Sequence, residues 1–172
     1  MELYVERGFE QTTVAEIAQR AGLTARTFFR YFADKREVLF AGSASLQDSL
    51  VSALEGAPKS ASPMQAISAA LDAAAAMLGE RRDYSRQRQS VIAANAELRE
   101  RELIKMASLS AALADGLRRR GVTDPDAGLA AEAGVAVLRV AFERWVTATG
   151  DRDLLQVMHE SLDQLKALTA DR

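Results

Sequence analysis

The sequence predicts an all-α protein, with a three-helix unit at the N-terminus and a larger helical body behind it. Three observations predict this. Alanine and leucine dominate while aromatics make up only 6%, a mix that favours helices over sheets. Glycine (10) and proline (3) are sparse in 172 residues, which leaves room for long uninterrupted helices. Apolar residues recur with a helical period, as Leu154, Met158, Leu162 and Leu165 do.

Residues 2–7 are expected to close a first helix at Gly8, with Leu3 and Tyr4 as its apolar contacts. Met1 stands directly against it with no capping residue, so this helix is either short by nature or truncated. Thr13-Val-Ala-Glu16 is a capping box, in which the hydroxyl and the carboxylate each cover a free backbone N–H. Its helix should run to Ala21 and stop at Gly22. Thr24 is a good N-cap for a second short helix reaching Phe32. Asp34-Lys-Arg-Glu37 is a further capping box, expected to open a longer helix to Leu54. The only clear linker, 56–63, is rich in small residues and proline, and composition alone puts a domain boundary there. Body helices are expected over 64–79, 83–95, 97–120, 125–148 and 152–169. Their breakers are Gly79, the Asn95 region, Gly121 with Pro125, and Gly150. The helix-turn-helix unit is assigned to residues 1–45 and the second unit to 46–172.

Hydrophobic residues at 48% and charged residues at 27% give an ordinary globular balance. The absence of cysteine excludes disulfides, thiolate zinc sites and cysteine nucleophiles, and it fits a reducing, cytoplasmic setting. No stretch of about 18 uncharged apolar residues is present, so no membrane span is expected. Glu2, Glu6 and Arg7 break any signal-peptide core. No nucleophile motif, phosphate loop or metal-ligand spacing occurs, so neither enzymatic activity nor a cofactor is expected. His159, the single histidine, reads as a structural or interfacial residue, not a metal ligand. The net charge of -2 does not mark a nucleic-acid binder. The charge is unevenly spread, however. From Leu23 to Arg36, Arg26, Arg30, Lys35 and Arg36 stand against Asp34 alone, four cations minus one anion, or +3.

The stretch from Val14 to Tyr31 has the residue types that two helices crossing at a tight turn require. Ala18 is small and permits close crossing, while Ala21 and Leu23 flank the turn. Gly22 supplies a positive φ cheaply. At 100° per residue, Phe28, Tyr31 and Phe32 should face inward. Arg26 and Arg30, with Thr27 beside them, should face outward, a cationic and hydrogen-bonding face of major-groove width. Either arginine can grip guanine O6 and N7, and Thr27 can reach a base or a thymine methyl. The helix N-terminus at Thr24 suits a phosphate.

These residues resemble the TetR family of transcription regulators. The likeness is carried by Gly8-Phe9, by Thr12-Thr-Val-Ala-Glu-Ile-Ala-Gln-Arg-Ala-Gly-Leu-Thr24, and by Thr27-Phe-Phe-Arg-Tyr-Phe-Ala-Asp-Lys35. The resemblance implies a homodimer with one reading head per subunit on a double-stranded, palindromic DNA operator. It also implies a helical C-terminal domain for dimerisation and for a small-molecule effector that releases DNA. It assigns base reading to Arg26, Thr27 and Arg30, and phosphate contact to Thr13, Thr24, Tyr31 and Lys35. Ala25 and Phe29 complete that set. Phe29 stands where the family often has tyrosine, so a phenolic contact is missing. The family's longer first helix and basic arm are also missing.

The body resembles the MftR-type, acyl-CoA-like ligand-binding subgroup through Leu98-Arg-Glu-Arg-Glu-Leu103, Arg118-Arg-Arg-Gly121 and Leu138-Arg-Val-Ala-Phe-Glu-Arg-Trp145. Met64, Ile67, Leu71, Tyr84, Met106, Phe142 and Trp145 are the candidate ligand-binding residues. They either line a largely apolar pocket or fill the core. Arg81, Arg82, Arg86 and Arg88 around Tyr84 form either an anionic-headgroup site or a solvated face. Ala130 and Gly134 allow close helix approach, in a dimer bundle or within one chain. The alternative function is a helical interaction module or small-molecule-binding protein without DNA binding.

Overall fold

In the computed structural model, residues 1–170 are described, and they hold nine α-helices. The head contains α1 (Glu2–Arg7), α2 (Val14–Arg20), α3 (Ala25–Tyr31) and a 3₁₀ segment, Lys35–Phe40. The body contains α4 (Ser43–Gly56), α5 (Pro63–Leu78), α6 (Arg82–Ala94), α7 (Ala96–Arg119), α8 (Asp124–Thr147) and α9 (Leu154–Thr169). A 3₁₀ turn, Gly79–Arg81, joins α5 to α6.

The expected helix from 35 to 54 is broken. Asp34 caps the 3₁₀ segment by accepting from the N–H groups of Arg36 (2.8 Å) and Glu37 (3.4 Å). Glu37 does not return to the Asp34 N–H, because cations of α7 claim its carboxylate. The predicted capping box is therefore half-formed, and α4 starts afresh behind Gly42. An Asp34→Ala change should cost about 1 kcal/mol of stability, as cap losses typically do. A urea midpoint equal to the parent's would show that the cap contributes nothing.

The body core gathers Leu50 and Leu54 of α4, Ile67 and Leu71 of α5, Leu113 and Leu117 of α7, Trp145 of α8, and Met158 of α9. Segment 57–62 joins two helices of this same core, so no domain break falls at the predicted linker. The change of core comes between Phe40 and Leu46. Ala130 and Gly134 turn inward. A Cβ on Gly134 would lie 2.7 Å from Ile67 Cγ2, so glycine is what lets α5 and α8 approach this closely. They serve packing within the chain. The outer side of α8 carries Leu129, Ala136 and Val140 instead.

The arginine cluster at the start of α6 has a structural task that sequence reasoning did not foresee. Arg82 donates to the carbonyls of Trp145 (2.8 Å), Ala148 (2.6 Å) and Gly150, and Arg86 donates to that of Val146 (2.9 Å). Two guanidiniums thus satisfy carbonyls that the end of α8 leaves open. Arg88 reaches the head, and Arg81 lies over the Tyr84 ring at 4.6 Å. Arg82→Ala should cost about 1.5–3 kcal/mol, the usual range for hydrogen bonds to a charged group. Chemical denaturation checks this, and a loss below a few tenths would leave Arg82 without that task.

Candidate nucleic-acid interface

The turn between α2 and α3 forms as its residues dictate. Thr13 caps α2 and completes the box with Glu16. Gly22 takes φ +69°, and the Leu23 N–H closes on the Ala18 carbonyl at 2.8 Å. Ala18 is buried where the helices meet. Thr24 caps α3 by accepting from the Thr27 N–H at 3.2 Å, and the two hydroxyls lie 3.1 Å apart.

Phe28 is the inward anchor of α3, packed on Phe32 with ring centres 5.2 Å apart. The outer face carries Ala25, Arg26, Phe29, Arg30 and Tyr31, all exposed, beside the half-buried Thr27. Tyr31 departs from the inward position expected of it and is 66% exposed. Its ring lies 5.4 Å from the Arg30 guanidinium, which also donates to its hydroxyl at 3.4 Å. The chain leaves α3 in extended backbone at Phe32, and the second inward aromatic is that residue.

The local +3 of the sequence resolves into two available cations. Arg36 is bonded to Asp34 at 2.5 Å and lies 3.8 Å from Glu97. Lys35, expected at a phosphate, donates to the carbonyls of Phe9 (2.8 Å), Glu10 (3.2 Å) and Thr12 (3.1 Å) over the Phe9 ring. Three acceptors tie that ammonium to the head's own loop, so Lys35 holds the head together. Of the four, only Arg36 has an anionic partner among the described residues, and Lys35 is committed to carbonyls, which leaves Arg26 and Arg30 available.

Three carboxyls of the head titrate below their ordinary values. Hydrogen bonds from Thr13 lower Glu16, those from Arg36 lower Asp34, and that from Arg101 lowers Glu37. Each binds its proton more weakly folded than unfolded. Their stabilisation is therefore complete above the unfolded values, 4.5 for Glu16 and Glu37 and 3.8 for Asp34, and is lost as pH falls through the lower folded ones. Thermal melts should be level from pH 7 down to about 5 and fall below it. A melt unchanged at acid pH would remove these bonds from the head's stability. Tyr4 lies beneath, its hydroxyl donating to the Lys35 carbonyl at 2.6 Å, and burial pushes its pKa up.

The ligand candidates sit differently. Ile67, Leu71 and Trp145 are fully inside the body core, with Met64, Met106 and Phe142 packed half-buried against it. Tyr84, under Arg81, lines an open cleft of about 430 Å³ that Trp145 also borders. His159 bonds Asp72 at 2.7 Å and joins α9 to α5.

Residues 1–41 match the model described as "Bacterial regulatory proteins, tetR family", and residues 61–170 match the "MftR C-terminal domain" model. The chain belongs to the TetR family. It is a TetR-family transcriptional regulator with the family's helical fold. Over 83 residues, 48% of this chain, it is 40% identical to the HTH-type transcriptional regulator TcmR of Streptomyces glaucescens, of which that match spans 35%. Two solved TetR-family structures from Thermus thermophilus cover nearly the whole chain. PfmR is 26% identical at a TM-score of 0.55, covering 99% of this chain and 96% of its own. FadR, a repressor solved in complex with lauroyl-CoA, is 25% identical at 0.61, covering 100% and 92%. None of the described helices is long and apolar enough to cross a membrane.

Proposed function

We propose that this chain is a dimeric cytoplasmic repressor that holds a palindromic operator with the outer face of α3 and releases it when an acyl-CoA enters the body. The observation carrying this reading is the pair Arg26 and Arg30, exposed beside Thr27 on a helix whose opposite side is anchored by Phe28. Such a face suits base edges in a major groove, and a two-fold dimer would present two of them about 34–36 Å apart or at a multiple of that.

The exposed side of α8 is the surface we assign to the partner subunit. Leu129 is 73% and Val140 45% exposed, with the small Ala136 between them. Two copies related by a two-fold axis near Ala136 would set Arg139 across from the partner's Glu132. Val140→Glu should split the dimer in analytical ultracentrifugation and weaken operator binding with it. A dimer unchanged by that substitution would place the interface elsewhere.

The effector assignment draws on the lauroyl-CoA held by FadR and on the apolar residues between α5 and α8. Ile67, Leu71, Phe142 and Trp145 would have to part around an acyl chain. α6 would carry the movement, since it is bound to the end of α8 by Arg82 and to the head by Arg88. A ligand can drive this only by binding the parted state better. Titration of the operator complex with lauroyl-CoA at fixed salt tests it. Release at micromolar ligand supports the reading, and retention at saturating ligand overturns the effector assignment.

A further inference from the structure

The head and body share a second core. Tyr4, Phe9, Leu39 and Phe40 of the head close over Val91 and Ile92 of α6 and Leu98 of α7. Polar contacts ring this seam. Glu37 accepts from Arg101 at 2.6 Å and from Lys105 at 3.5 Å. Arg88 donates to the Leu39 carbonyl at 2.8 Å and to Glu102 at 3.2 Å, and its guanidinium lies 5.0 Å from the Phe40 ring centre. Arg36 approaches Glu97 at the rim.

These pairs differ from the others in the molecule. The ion pairs of Glu37, Arg88, Arg101 and Lys105 have both partners at 34% exposure or less. In every other ion pair among the described residues, at least one partner is more exposed than that. Shielded pairs with fixed donors hold a geometry that solvated ones do not. The remaining head–body link is the chain itself at Ala41 and Gly42, a two-residue step between the 3₁₀ segment and α4. A single covalent strand leaves the angle open, so the seam must set it.

We infer that Glu37, Arg88 and Arg101 are positioning residues: they latch the reading head at one angle to the body and so fix the half-site spacing that the dimer accepts. The latch stands on the contacts alone, and only its effect on spacing rests on the reading of the protein as a dimeric operator binder. None of the three needs to touch DNA. Loosening the latch should leave each head folded on Ala18 and Phe28 but let it sample several angles. Binding to the preferred spacing then loses its advantage, because a population spread over many head angles is only partly competent for any one of them.

The absence of cysteine allows two measurements on the full chain. First, spin labels at Gln19→Cys in the head and Ala111→Cys in α7, diluted with unlabelled protein, report the head–body distance distribution. It should be narrow in the parent and broadened in Glu37→Gln and in Arg101→Gln. Unchanged widths in both variants would overturn the latch, whatever the protein does on DNA. Second, the affinity ratio between the preferred duplex and one lengthened by a base pair should fall about five- to tenfold in the same variants, the size of one ordinary lost hydrogen bond. A merely structural loss would weaken both duplexes alike and keep the ratio, which would overturn the spacing role. Arg101→Lys, which keeps the charge, should restore most of it. A parent that prefers no palindrome would refute the operator reading while the distance measurement still decides the latch. If Glu37→Gln fails to fold, Arg101→Gln carries the same test, since Lys105 still neutralises Glu37.

Discussion

Replacing Arg30 by alanine is expected to cost about 1–3 kcal/mol of operator affinity per half-site, the discrimination that one bidentate arginine–guanine pair supplies. The same change should lower binding to a scrambled duplex far less, since only a share of the backbone attraction goes with it. The expectation is specific to the outer face of α3. Arg30 is exposed and held only by the neighbouring Tyr31, a contact that it can exchange for a base edge. Lys35 is the contrasting cation, committed to three carbonyls, so Lys35→Ala should act through the head's stability before it acts through charge. Fluorescence anisotropy on operator and scrambled duplexes at one salt concentration measures both. Equal loss on the two duplexes for Arg30→Ala would show that the residue reads no base.

Trp145→Ala is expected to destabilise the protein by about 3–5 kcal/mol, the range for truncating a buried large aromatic. Trp145 is 2% exposed, its indole N–H donates to the Arg152 carbonyl at 2.9 Å, and Phe142 packs on it with ring centres 5.8 Å apart. Its own carbonyl accepts from Arg82, so the ring and the end of α8 are fixed together. Trp145 also borders the open cleft beside Tyr84, but a residue that served only as a pocket wall would cost little to lose from the unliganded protein. Urea unfolding separates the two, and a change below about 1 kcal/mol would contradict a core role.

How much of this was legible depended on the range of the interaction. Thr13, Gly22 and Thr24 act on residues within five positions, so the caps and the turn could be read directly. The exposure of Arg26 and Arg30 followed from helical period alone. Tyr31 did not, because the last residue of a seven-residue helix is oriented by where the chain turns next, and Phe32 took the inner place. Lys35 read as surface charge because one of its acceptors, the Phe9 carbonyl, lies 26 positions away, whereas the main partner of Arg36 is Asp34, only two positions off, with Glu97, 61 positions on, adding to it. Glu37 was misread for the same reason as Lys35. Its spacing from Asp34 fits a capping box, yet Arg101, 64 positions on, outcompetes the local backbone N–H. Gly134 could be recognised as a site of close approach, while which neighbour approaches was decided by tertiary packing. The arginines of α6 carried no local sign that α8 would end against them.

On the proposed function, the outer face of α3 reads base sequence in duplex DNA. Enrichment of bound duplexes from a random pool at physiological salt tests it most directly. A two-fold-symmetric consensus should emerge, with guanines whose N7 methylation blocks the parent protein but not Arg30→Ala. A pool that stays random, with binding that depends on salt alone, would contradict it.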